Sequence, residues 1–290
     1  MRETGSALII TVLLVTILAA LVTEFAYEVY IDTTALSNYE NAQKASFIAK
    51  SGQTISSKYL AEVKKMKYTY ADSLELPVDK DLGTGVILTI KLEDENAKFN
   101  INSIIYAQSG KENEKAFSSL KKLFEYLKIN PNLALVIADW MDPNSEPRLP
   151  GSEDNAKNAP LWSINELMLI KGIDKDVFNK ISPYITAYGN NLININTAKL
   201  PVLVSLHEDM TETLANSVIA YREIASFENP ADIVKVSGME STGMLIQGRI
   251  TAKSQSFRIA ARATVNEITR IIESVVDSDA SMKIEYWREI

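Results

Sequence analysis

Apolar and polar positions divide this chain into three regimes. From Ser6 to Thr23, eighteen consecutive residues carry no charge, just enough to cross a hydrocarbon core as a helix. The run is too long and too uniformly apolar for a secretory h-region, and no small-x-small cleavage site with a turn follows it. From Glu24 to Met66 there is no proline. Apolar residues recur there at helical spacing, at Phe25, Val29, Leu36, Tyr39, Phe47, Ile48, Ile55, Tyr59, Leu60 and Val63. Glu24, Glu28 and Asp32 share one face. The spacing predicts a single helix of about 60 residues, roughly 90 Å long, in lipid over its first third and amphipathic beyond.

The second regime is extended. Tyr68 to Thr84, punctuated by Leu76-Pro77, Gly83 and Gly85, reads as a loop. Val86 to Leu92 alternates as a strand does, Glu93 to Lys98 reads as a polar turn with Asp94 and Glu95 solvated, and Phe99 to Ile101 is extended. Near the other end, Phe257 to Thr264 and Ile268 to Val276 alternate with period two around Val265-Asn266-Glu267, a hairpin signal. Met282 to Trp287 makes a last short strand. Strands on both sides of a helical block predict one sheet interrupted by an inserted domain.

That helical block, the third regime, repeats itself. Asn100-Ile101-Asn102-Ser103 returns as Asn194-Ile195-Asn196-Thr197, Leu133 to Asp142 as Leu214 to Glu223, and Ser163 to Ile173 as Asn229 to Met239. The last pair opens on matching caps, Ser163 with Glu166 and Asn229-Pro230 with Asp232, and closes on Gly172 or Gly238. Two related helical units follow. The second and third blocks are offset by 81 and 66 residues, so the first unit carries about 15 extra residues within Pro143 to Trp162.

Composition narrows the chemistry. A net charge of −7 and a pI near 5.0 oppose a nucleic-acid binder held by phosphate contacts. With no cysteine there is neither a disulfide framework nor a thiolate site. A single histidine, His207, removes most imidazole-based constellations and is expected at the surface or in a loop. Trp140, Trp162 and Tyr184 are expected in the core. The turns at Gly172 and Gly238 look like degenerate helix-hairpin-helix turns, but they lack a second glycine and a basic flank. No constellation supports catalysis. Arg2 in the leader, against Glu24, Glu28 and Asp32 beyond the apolar run, favours a cytoplasmic N-terminus.

The extra residues hold the most acidic loop. Asp139, Asp142, Asn144, Glu146, Glu153 and Asp154 fall within 16 residues, broken by Pro143, Pro147, Pro150 and Gly151. Hard oxygen donors without sulfur or imidazole select Ca²⁺ over zinc or copper. Asp142, Asn144, Glu146 and Glu153 occupy positions 1, 3, 5 and 12 of an EF-hand count, but Pro147 stands where that loop needs glycine, so it is not an EF-hand. Two other readings stay open: a solvated acidic loop, and a helix end at Asp139-Trp140 whose carboxylate pairs with Arg148.

A short leader ending in Gly5, followed by a long helix apolar only in its first part, resembles the N-terminal plan of type IV pilin-like subunits. Asp94 to Asn102, Ala138 to Asp142, Glu146-Pro147-Arg148, Gly151 to Asp154, Ser163 to Gly189, Asn194 to Thr197 and Trp287-Arg288-Glu289 sharpen this. With them the chain resembles the K-type minor pseudopilins of type II secretion. The resemblance implies an α+β fold: a long helix and a pilin-like antiparallel sheet, interrupted by a large inserted all-α domain. The segments would be a leader at 1–5, a membrane span at 6–23, helix and first strands at 24–102, the inserted domain at 103–254 and closing strands at 255–290. It also implies cleavage between Gly5 and Ser6 by a prepilin peptidase, N-terminal methylation, and calcium held by the acidic loop. The place implied is the tip of a periplasmic pseudopilus, with the I-type and J-type minor pseudopilins, the major pseudopilin and the inner-membrane assembly platform as partners. Nucleic acid is not expected. Pilin-like chains carry glutamate at the fifth position after the cleavage glycine. Here that position is Ile10, as in K-type members, which suits a subunit with none ahead of it. A tip pilin of a type IV pilus and a membrane-anchored DNA-binding protein remain alternatives.

Overall fold

The computed structural model describes residues 3–76, 79–81, 83, 85–106, 108–279 and 282–290. Met1, Arg2 and Pro77, which carried parts of the leader and loop readings, lie outside the described residues. Helix α1 runs unbroken from Glu3 to Val63, 61 residues. After it come β1 (Asp79–Asp81), β2 (Val86–Asp94) and β3 (Phe99–Asn100). The inserted region continues with α2 (Glu114–Tyr126), α3 (Leu133–Met141), α4 (Lys175–Ile181), β4 (Ile185–Thr186) and β5 (Ile193–Asn194). It closes with α5 (Leu200–Ser205), α6 (Glu212–Ile224), α7 (Glu240–Ile246) and β6 (Ile250–Thr251). Strands β7 (Ser256–Val265), β8 (Ile268–Asp277) and β9 (Lys283–Glu289) end the chain.

The expected interrupted sheet is present. Its order is β1-β2-β7-β8-β9, antiparallel throughout, so β2 pairs with β7 across the whole insertion. The β7–β8 turn places Asn266 and Glu267 both at positive φ, between the paired Val265 and Ile268, as a two-residue primed turn requires. One loop expectation is corrected: the stretch after α1 contains a short 3-10 turn at Ala71–Leu74 and the edge strand β1.

Helix α1 meets the sheet through its small residues. Asn41, Ala45, Ala49, Gly52, Ser56, Leu60 and Val63 are buried, whereas Phe25, Val29, Leu36, Tyr39, Phe47 and Ile55 stay exposed. Of the apolar positions read at helical spacing, Leu60 and Val63 are buried and Ile48 and Tyr59 pack partly buried against the sheet core, while these six point away from it. The reason is the close approach: a Cβ on Gly52 would lie 3.1 Å from Leu88 Cδ1 and 3.2 Å from Ala261 Cβ. Around Gly52 a bulky side chain cannot fit that face, which Ala45, Ala49 and Ser56 also keep small, and larger residues enter it only at Leu60 and Val63. This first core continues through Leu88, Ile90, Phe257, Ile259 and Ile272.

The inserted domain has its own larger core, from Phe99 to Ala252. Its helices dominate, but two parallel ladders of two residues per strand, β3–β4 and β5–β6, tie each half together. The sequence repeat is a structural repeat. Asn100 Oδ1 accepts from Asn102 N (3.0 Å), and Asn194 Oδ1 from Asn196 N (2.9 Å). Asn102 then clamps Leu161 and Ala187, accepting from Leu161 N (2.8 Å) and donating to both carbonyls (2.9 Å each). Asn196 does the same to Phe227 N and O (2.8 and 2.9 Å) and Ala252 O (3.4 Å). The capping boxes at Ser163/Glu166 and Asn229/Asp232 open six-residue 3-10 helices rather than α-helices. Gly172 and Gly238 have φ of +92° and +86°, and a Cβ on either would sit 2.9 Å from a leucine Cδ2, Leu133 or Leu214.

Candidate functional site

Three places concern function: the apolar half of α1, the acidic loop, and the seam joining the two cores. None of the apolar window of α1 is buried within the chain, and the helix is long and apolar enough to cross a membrane. Ile10 lies in that window and is 55 % exposed. Gly5 and Ser6 fall within the same helix, two and three positions after its first described residue, Glu3.

In the acidic loop, α3 ends at Met141 and presents Asp139 and Asp142, both with fully buried side chains. Arg148 reaches back between them. One guanidinium nitrogen donates to both carboxylates, and the Arg148 backbone N donates to Asp139 Oδ2 at 2.8 Å. Ser152 Oγ donates to the same oxygen, and Glu112 approaches Arg148 at 3.3 Å. Of the readings left open, the pairing with Arg148 is the one the geometry builds. Burial alone would lower the Arg148 pKa, but the bonds to Asp139 and Asp142 outweigh it and raise it. Glu153 is pushed upward, by burial first and then by Asp139 and Asp142, with Arg148 opposing.

The other expected ligands divide clearly. Asn144 Oδ1 closes a turn by accepting from Glu146 N at 2.7 Å, and Asn144, Glu146 and Asp154 are exposed. Among the described residues no group of three acidic or imidazole side chains converges closely enough to hold a metal. Two acceptors nevertheless stay unfilled: Asp142 Oδ1 and Glu153 Oε1 are buried without a hydrogen-bond partner. Such orphans are costly in a low-dielectric setting, and their chemistry suits a hard cation.

The seam is what sequence reasoning missed. Asp94 and Glu95, expected to be solvated, are 5 % and 1 % exposed. Asp94 accepts from Asn96 N (2.8 Å), Ser254 Oγ (2.6 Å), Asn194 Nδ2 (3.3 Å) and Thr197 Oγ1. Burial pushes its pKa up against those donors. Glu95 instead has cations, Lys98 Nζ and Arg258 Nε at 2.9 Å each. Burial opposes its ionisation, but Lys98 and Arg258 outweigh burial and lower its pKa. Glu93 follows the same balance, with burial opposed by Lys98 and Lys91, and falls to about 2. Asn96 completes the joint, accepting from Gln255 N (2.9 Å) and Ser256 N (3.0 Å) and donating to Leu192 O (2.8 Å). The available signal was the recurrence of Asn at 100 and 194, which marks where backbone must be bound by side chains.

Three further expectations can be placed. Trp140 and Tyr184 pack against the larger core, but Trp162 is 79 % exposed, its ring lying under Lys157 Nζ at 4.3 Å. It sits in the extra segment, which the repeat does not bury. His207 lies in the α5–α6 connection and is partly exposed. At the glycine turns, Asp174 Oδ1 accepts from Val177 N (2.8 Å) and Glu240 Oε1 from Gly238 N (3.3 Å), so carboxylates occupy amides a phosphate would need.

A long, lipid-length helix laid on an antiparallel sheet, with a helical domain spliced between two neighbouring strands, defines a pilin-like subunit with an inserted domain. The chain belongs to the type II secretion system protein K family. Two profiles of that family match residues 97–190 and 193–250, together just over half of the chain. It is 26 % identical over 260 residues to the type II secretion system protein K of Pectobacterium carotovorum subsp. carotovorum, covering 76 % of each chain. It is 26 % identical over 233 residues to that of Klebsiella pneumoniae, covering 69 % of this chain and 67 % of the relative. Its fold is similar to a chain in the crystal structure of the GspK-GspI-GspJ complex from enterotoxigenic Escherichia coli. That match has a TM-score of 0.72 at 18 % identity, covering 89 % of this chain and 99 % of the other.

Proposed function

We propose that this chain is the K-type minor pseudopilin at the tip of a type II secretion pseudopilus, where it helps to start the filament and to limit its length. The observation that carries this is the pairing of an unburied apolar helix with a bulky domain inserted between β2 and β7. The helix offers a face for other helices, and the inserted domain obstructs addition beyond it. Ile10 fits the same place, because a subunit with none ahead of it needs no carboxylate for a neighbour's amino terminus. In this reading the chain is cleaved after Gly5 by a prepilin peptidase and methylated at Ser6. Its N-terminus is cytoplasmic and its folded part periplasmic. It joins I-type and J-type minor pseudopilins above the major pseudopilin, assembled by the inner-membrane platform, and acts without catalysis. The relative's complex with GspI and GspJ supports the choice of partners. Ile10→Glu, and separately deletion of the inserted domain, are expected to reduce filament initiation and to change filament length in cells. Unchanged number and length of pseudopili in both variants would refute the tip assignment.

We further propose that calcium binds at the open edge of the acidic loop. Asp142 and Glu153 would hold it through their orphaned oxygens, with Asp139 engaged by Arg148, and any further ligands among Asn144, Glu146 and Asp154 would have to be drawn in from the exposed part of the loop. The ion would supply the positive charge those oxygens lack. A ligand bound only by the folded state raises stability by mass action. The full chain in detergent is expected to melt higher in millimolar Ca²⁺ than in chelator, and Glu153→Gln to shrink that difference. An identical melting temperature with and without calcium would reject the site.

A further inference from the structure

A cleft of about 750 Å³ opens between α2, the α5–α6 connection and the end of α7 with the residues after it. None of its lining residues belongs to the acidic loop or to α1, and nothing above uses it. Two cations form its floor. Lys122 Nζ donates to three carbonyls, those of His207, Glu208 (2.9 Å) and Met210 (2.8 Å). Arg249 donates to Leu206 O and to Ser119 Oγ (2.7 Å). Among the described residues neither forms a salt bridge, whereas Arg148 and Arg258 each have carboxylate partners at contact distance.

Donor arithmetic makes the two cations differ. An ammonium has three N–H groups, and Lys122 has spent all three. A guanidinium has five, and Arg249 has spent two on the described partners. Burial lowers the pKa of both, Lys122 against the more distant Asp209, Glu208 and Glu125, and Arg249 with nothing opposing. A half-buried guanidinium without an anion, beside the buried Ser119 hydroxyl, is an incomplete arrangement. Lys115 and Lys121 add positive charge at the mouth, and Glu114, Glu125 and Glu208 add negative charge. The mixed rim disfavours a dianion such as phosphate and tolerates a single negative charge. Leu245, 56 % exposed, supplies an apolar wall.

We infer that this cleft binds the C-terminal carboxylate of an extended polypeptide ending in an apolar residue, the carboxylate on Arg249 and Ser119 and the side chain against Leu245. A guanidinium fork matches a carboxylate geometrically. A chain terminus is favoured over an acidic side chain because only the terminus carries an apolar side chain on the carbon that bears the carboxylate. The cavity is of ordinary ligand size and holds several residues. This inference is independent of the tip assignment and of calcium.

The test is titration calorimetry of the full chain in detergent micelles at low ionic strength, with N-acetyl-leucine as probe. N-acetyl-leucinamide, which lacks the charge, and acetate, which lacks the side chain, serve as controls. N-acetyl-leucine is expected to bind, with both controls at least tenfold weaker. Arg249 ties α2 to the α5–α6 connection, so the variants instead use residues free of such ties. Leu245→Ser and Lys121→Gln are each expected to weaken binding about three- to tenfold with unchanged melting temperature. Equal binding of acid and amide, equal binding of acetate, unchanged affinity in both variants, or no heat at tens of millimolar each overturn the inference.

Discussion

Arg148→Met is expected to be the most damaging single substitution in the acidic loop, lowering stability by about 3–5 kcal/mol. Methionine keeps much of the side-chain volume, so packing is nearly conserved and the loss is electrostatic. Asp139 and Asp142 have no solvent exposure at their side chains, and Arg148 is the cation that contacts both. Without it two carboxylates stay buried at close quarters with only Ser152 and the backbone N of residue 148 as donors. Removing one partner of a buried pair costs far more than the pair itself contributes. The double change Asp139→Asn with Asp142→Asn in the Arg148→Met background is therefore expected to recover a substantial part of the loss. Thermal unfolding of the full chain in detergent measures both. Equal stability of the wild type and Arg148→Met would show that the loop tolerates uncompensated charge and that the pairing is incidental. If calcium occupies the neighbouring edge, the loss is smaller in calcium than in chelator, because the ion supplies part of the missing charge.

The sequence was most legible where one residue's neighbours in the chain are also its neighbours in space. Period-two alternation at Val86 to Leu92 and at Phe257 to Val276 identified strands that the sheet contains nearly residue for residue. The repeat was legible because each unit reuses the same local devices: an asparagine turn, a capping box and a glycine at positive φ. What was not legible depended on distant partners. Asp94 and Glu95 follow a strand in a run of charged residues, which locally resembles a solvated turn. Besides the nearby Asn96 N and Lys98, their donors come from residues 91 to 163 positions away, in the inserted domain and on β7. What the apolar positions of α1 pack against was not legible for a related reason. Periodicity reports that Phe25, Val29 and Phe47 share a preference for burial but not whether the chain itself satisfies it. Gly52 and the alanines at 45 and 49 take the sheet, and the larger residues are left for something outside the chain. In the acidic loop, composition located the right segment, and Arg148 was already a candidate partner. Composition could not say which carboxylates would be buried: the fold encloses Asp139 and Asp142 and leaves Asn144, Glu146 and Asp154 in solvent.

The two clamping asparagines provide a controlled comparison, because the repeat gives them the same three bonds in different surroundings. Asn196 is 5 % exposed. Its replacement by alanine leaves Phe227 N, Phe227 O and Ala252 O without their side-chain partner in a buried setting. Each unsatisfied buried group costs about 1–3 kcal/mol. The Ala252 bond is long at 3.4 Å and contributes little, so Asn196→Ala is expected to cost about 3–4 kcal/mol. Asn102 makes the equivalent bonds at 2.8–2.9 Å, shorter on average, but it is only half-buried. Water can replace it, and Asn102→Ala is expected to cost about 1–2 kcal/mol. Bond length and burial thus predict opposite orders. Chemical denaturation of the two variants, read on the inserted domain's transition, separates them. If Asn102→Ala proves the more destabilising, bond geometry rather than desolvation governs these clamps. If Asn196→Ala does, the second unit is the part of the inserted domain that depends most on a single side chain. Asn196 is also two residues from Asn194, whose Nδ2 reaches Asp94 in the seam. Loss of the Asn196 clamp should then loosen the joint between the two cores, and amide exchange at Asp94 to Asn96 is expected to quicken more in Asn196→Ala than in Asn102→Ala.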